Sequence, residues 1–133
     1  MTTKLKTQTL DTITAGYSSF SNTLLAEINR QRETYFQYNV RMIMRVFNIY
    51  ADIVSSSIKI LSTPAFKTSE YNIALIKGFA SQVNIIVETM DFLSEIEKIN
   101  CQAPFHEIDF QLEKTFNAIE HIKVNCTSII QLS

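Results

Sequence analysis

Residues 35–61 read YFQYNVRMIMRVFNIYADIVSSSIKIL. Taken as a helix, this stretch carries two adjacent apolar stripes. One runs through Tyr35, Tyr38, Met42, Val46, Ile49, Ile53 and Ile60. The other runs through Phe36, Val40, Ile43, Phe47, Tyr50, Val54, Ile58 and Leu61. Steps of three and four residues place side chains on one face of an α-helix. What remains is a narrow polar stripe of Gln37, Arg41, Arg45, Asn48, Asp52, Ser55 and Lys59. A helix apolar around most of its circumference needs several partners to cover it. The rest of the chain is therefore read as the source of that cover.

Composition points the same way. The 133 residues are 46% hydrophobic and 19% charged, as in a folded globular domain, and hold only two glycines and two prolines. Sheet-rich domains need many turn glycines and prolines, so this scarcity predicts long helices with few loops. The expected fold is all-α: an elongated antiparallel up-and-down bundle of three to four long helices with coiled-coil-like packing, in one domain over residues 1–133.

Outward from the opening stretch, the boundaries follow from local signals. Leu10, Ile13, Tyr17 and Phe20 share a helical face, but Gly16 and the serines after it read as a break. Residues 1–20 are thus expected as a short helix near 4–15 or a flexible arm. Asn29 to Thr34 is wholly polar, yet its Arg, Gln and Glu are good helix formers. This favours one helix over about 22–61; a turn at 29–34, giving two helices, is the alternative. Ser62-Thr63-Pro64 ends it, because the residue before proline is driven out of the α region. Pro64 then opens a helix over about 64–100, or that helix starts later, with Glu70 in its first turn. Its stripe is Ile76, Phe79, Val83, Ile86, Met90, Leu93 and Ile96. Pro104 opens the last helix, about 104–130, which carries Phe105, Ile108, Leu112, Phe116, Ile119, Ile122, Cys126 and Ile129.

Charge and motifs exclude several functions. The net charge is −1, which gives no reason to expect nucleic-acid binding. Basic residues dominate up to residue 50 and acidic ones after it, so basic and acidic helices are expected to lie against one another, within or between chains. Two cysteines do not make a disulfide framework, and no secretory signal or unbroken apolar run of membrane-spanning length is present. A cytoplasmic location and no transmembrane segment are expected. The Asn125-Cys126-Thr127 glycosylation triplet is read as chance.

Cys101, His106, His121 and Cys126 are spaced almost symmetrically, but on one helix the two histidines lie about 22 Å apart, too far to share a metal. Residues five apart, such as His121 and Cys126, also point to different faces. Cys126 reads as a small core residue, and Cys101 as a turn thiol with no basic neighbour in sequence. Ala103 and Ala118 stand where di-iron bundles require the Glu of Glu-x-x-His. Two glycines cannot build a phosphate-cradling loop. No metal, no cofactor and no catalytic residue is assigned, and an enzyme is not expected.

The surplus is apolar helix surface. Tyr35, Phe36, Tyr38, Val40, Ile43, Phe47, Tyr50 and Val54 form the candidate interface. The expected function is a non-enzymatic, self-associating structural, adaptor or protein-binding module. Its partner is another copy (a dimer or higher oligomer) or another helical protein. Long amphipathic helices with few glycines and a Ser/Thr-Pro break resemble, in architecture, the granule-coating phasins. That resemblance implies a peripheral coat on lipid or polymer granules as the alternative. A helical ligand-binding bundle or enzyme with an unidentified core site is the second alternative.

Overall fold

A computed structural model describes residues 3–132, with side chains over 5–130; residues 1, 2 and 133 of the expected domain lie outside the described residues. The elements are α1 (Thr3–Thr34), β1 (Tyr38–Asn39), α2 (Val40–Ile49), α3 (Ala51–Leu61), α4 (Glu70–Ile99), β2 (Gln102–Ala103) and α5 (Phe105–Leu132). The fold is all-α. Its helices pack against one another around one cluster of buried apolar side chains.

The N-terminal region differs most from expectation. It is one long helix, with no bend at Gly16. Leu10, Ile13, Tyr17, Phe20, Leu24 and Ile28 are all buried, so the apolar stripe runs unbroken past the glycine. The threonines are accommodated because their hydroxyls bond back to the preceding turn, Thr9 Oγ1 to Leu5 O at 2.8 Å and Thr12 Oγ1 to Gln8 O at 2.9 Å. Gly16 serves packing. A Cβ there would stand 2.7 Å from Ile53 Cδ1, so the missing side chain lets α3 approach α1 closely.

The expected helix over 22–61 is also corrected. α1 ends at Thr34, and the chain reverses through Tyr35, Phe36 and Gln37. No glycine or proline causes this. β1 pairs antiparallel with β2, Tyr38 opposite Ala103 and Asn39 opposite Gln102, and Val40 N donates to Cys101 O at 2.7 Å. The side chain of Asn39 then accepts from Met42 N and caps α2. Buried Gln31 ties the end of α1 to this turn: its Oε1 accepts from Asn39 N at 2.6 Å, and its Nε2 donates to Glu27 Oε1 at 3.0 Å.

A second interruption falls at Tyr50, between α2 and α3, where φ and ψ are −102° and 5°. The Tyr50 ring stacks on Phe20 at 5.2 Å, and its hydroxyl bonds to Ser19 at 2.8 Å and Thr23 at 3.2 Å. These bonds hold its pKa below the ordinary value, Ser19 contributing most.

The remaining boundaries shift less. α4 begins at Glu70 rather than Pro64, because the Ser69 side chain caps it by accepting from Asn72 N at 3.1 Å. Pro64 sits in a turn that sends Phe66 into the core. α5 starts one residue after Pro104.

All seven residues of the predicted polar stripe, Gln37 to Lys59, are exposed. Val40, Ile43, Val46, Phe47, Val54 and Leu61 are buried, against α1 on one side and α4 on the other. The cover that residues 35–61 demand comes from α1 and α4 together.

Candidate interaction surfaces

The eight candidate interface residues separate into two groups. Tyr38, Val40, Ile43, Phe47 and Val54 are buried by the chain's own helices, and Tyr50 is half-buried. They are core in this chain, not free surface. Only Tyr35 and Phe36 stand out in solvent, and Phe36 is 98% exposed. The reason is the turn itself. Phe36 belongs to an apolar stripe only if residues 35–39 are helical, and they are not.

Phe36 sits at the end of the molecule where the strand pair lies. Ile99, at the last turn of α4, is 87% exposed at the same end. Gln37 and Gln102 line both of two shallow depressions there. One, of about 360 Å³, also includes Tyr35 and Phe36; the other, of about 260 Å³, also includes Ile96, Ile99 and Pro104. The sequence places Phe36 and Ile99 more than sixty residues apart, and only the β1–β2 pairing reveals that they share an end.

A polar cluster anchors this end. Tyr38 donates its hydroxyl hydrogen to Asp109 Oδ1 at 2.8 Å and accepts from Arg32 Nε at 2.9 Å. Arg32 also pairs with Asp109, and its guanidinium lies over the rings of Tyr38 (5.3 Å) and Phe105 (4.6 Å). Burial, then the bond to Asp109, pushes the Tyr38 hydroxyl up to about 12. Arg32 is held above its ordinary value, chiefly by Asp109. The ion pair is partly exposed, so it contributes at most about 1 kcal/mol. Its main effect is to fix Tyr38, and with it the strand pair, against the start of α5.

The residues tested for metal chemistry are dispersed. His106 and His121 are exposed on α5, Cys126 is buried, and Cys101 is half-buried in the turn before β2. Burial pushes the Cys126 thiol up to about 11, which makes it a poor nucleophile. The expectation for Cys101 is corrected: Arg41, absent from its sequence neighbourhood, donates to its Sγ at 3.2 Å and pairs with Glu97 at 3.3 Å. Asn125, of the glycosylation triplet, is half-buried within α5 and faces Gly78 of α4.

Further apolar side chains lie outside the core. Ile49 on α2, Tyr71 on α4, and Phe110 and Val124 on α5 are exposed. By length and composition α4 is long and apolar enough to cross a membrane, and little of its most apolar window is buried. The expectation of no transmembrane segment rested on a stricter criterion, an unbroken apolar run; in α4, Lys77 and Glu88 interrupt one. Comparison with protein-family models, curated proteins and solved structures finds no match for this chain.

Proposed function

We propose that this chain is a non-enzymatic helical bundle that associates with further copies of itself and acts as a structural, adaptor or protein-binding module in the cytoplasm. In this reading α1, α2–α3, α4 and α5 run up and down as an elongated antiparallel bundle with coiled-coil-like packing. The observation that carries it is the placement of Phe36 and Ile99, almost fully exposed at one end while the chain's own helices already fill the core. Single exposed apolar residues are ordinary; two large ones on one well-braced end suit an interface. The braced strand pair also lowers the ordering cost of binding there.

Static light scattering over a hundredfold range of concentration tests the reading. The mass should rise above the 15.2 kDa of one chain; a constant monomer mass contradicts it. The length and apolar composition of α4, with Tyr71 and Val87 exposed, favour one alternative, a coat on lipid or polymer granules. Liposome flotation tests that: without co-migration the coat reading is lost.

A further inference from the structure

The two depressions at the strand-pair end are contiguous, because Gln37 and Gln102 line both. Phe36, almost wholly exposed, projects beside the first, while Ile96, Ile99 and Pro104 give the second an apolar wall. A projecting ring next to an apolar hollow fits a second copy of the same surface turned by a two-fold rotation, each ring entering the other's hollow. The residues between ring and hollow then lie near the axis, where each meets its own counterpart. Gln37 and Gln102 suit that position, because an amide is neutral and carries both donors and an acceptor. A charged side chain there would face its like.

We infer that two copies of this chain pair about a two-fold axis through the strand-pair end, Phe36 of each seated in the hollow beside Ile99 of the other. The inference rests on the self-association proposed above and names its geometry. Charge favours a second copy over an anionic lipid surface or nucleic acid. Arg32, Arg41 and Lys98 flank the strand pair in sequence and already pair with Asp109, Glu97 and Glu95. Glu33 and Glu107, both exposed, make no ion pair among the described residues. An anionic occupant would meet two free carboxylates beside cations that are already paired. Area fits a small pair as well: Phe36, Ile99 and half-exposed Tyr35 offer on the order of 400 Å² of apolar surface per copy. Doubled, with the amides added, this comes to about 1,000 Å², the lower bound for a specific interface. Because ring and hollow satisfy each other reciprocally, the contact closes at two copies and leaves no site for a third.

Phe36→Glu and Ile99→Lys test this on the intact chain. Both side chains are exposed, so circular dichroism and thermal midpoint should match the parent. Light scattering of the parent should rise from 15.2 kDa to twice that mass and stop there. Added salt should not weaken the pair, since it screens only the repulsion between unpaired carboxylates. Each substitution acts twice in a two-fold pair, so each variant alone should associate at least about tenfold more weakly. An equimolar mixture should regain the pair: the introduced charges face each other in one half, and Phe36 meets Ile99 unchanged in the other. A monomeric parent overturns both self-association and this geometry; if that monomer floats with liposomes, the end faces a lipid surface instead. The geometry alone is overturned if the parent associates and both variants match it, if its mass grows past two chains, or if the mixture fails to regain the pair.

Discussion

Gly16 shows how a single residue can mislead a sequence reading. Glycine followed by serines looks like a helix break, yet here the helix runs through it and the missing Cβ admits Ile53. Gly16→Leu should therefore destabilise by overpacking, by about 1–3 kcal/mol in chemical unfolding. An unchanged midpoint would show that α1 and α3 do not approach closely there. Cys101 teaches the converse. Its arginine neighbour comes from α2, sixty positions earlier, and no local pattern announces it. Residues whose role is set by their own helix were legible. The six polar positions from Arg41 to Lys59 are all exposed, and Cys126 lies in the core as its stripe position implies.

The element least legible was the turn at 35–37. Its cause lies in residues 101–103, whose backbone pairs with residues 38–40, and in Gln31, whose side chain holds Asn39 N. Helix propensity cannot register a pairing partner so far along the chain. This also explains the fate of the candidate interface: Val40, Ile43, Phe47 and Val54 become core between α1 and α4, Tyr38 becomes core against α1 and α5, and the turn leaves Phe36 outside. Gln31→Ala removes the clamp and leaves Asn39 N without its side-chain acceptor. The expected cost is about 1–3 kcal/mol, with faster amide exchange over residues 38–40. If exchange there is unaffected, Gln31 does not hold the turn.

For the whole molecule, three buried groups make stability depend on alkaline pH. Burial raises Tyr17 and Tyr38 to about 12, from an ordinary 10.0, and Cys126 to about 11, from 9.0. The Ser57 hydroxyl, 2.9 Å from the Tyr17 hydroxyl, only partly offsets that rise. In each case the folded state holds its proton more tightly than the unfolded one. The stabilisation is thus fully present below the unfolded value and is lost as pH rises through the folded value. Urea midpoints should hold up to about pH 9 and fall steadily toward pH 12, with Cys126 contributing the earliest part of the loss. A flat profile would place these groups in solvent.

The fold separates two things that residues 35–61 alone run together. From sequence, their apolar surface implies a core completed by a second chain; α1 and α4 supply much of that cover within the chain, so the association proposed above falls to the outer faces. Amide hydrogen exchange across residues 40–61 tests this most directly, measured at a dilution where light scattering reports only the 15.2 kDa monomer. Protection that persists in the monomer is the predicted result. Protection lost on dilution would mean that a second chain, rather than α1 and α4, covers α2 and α3.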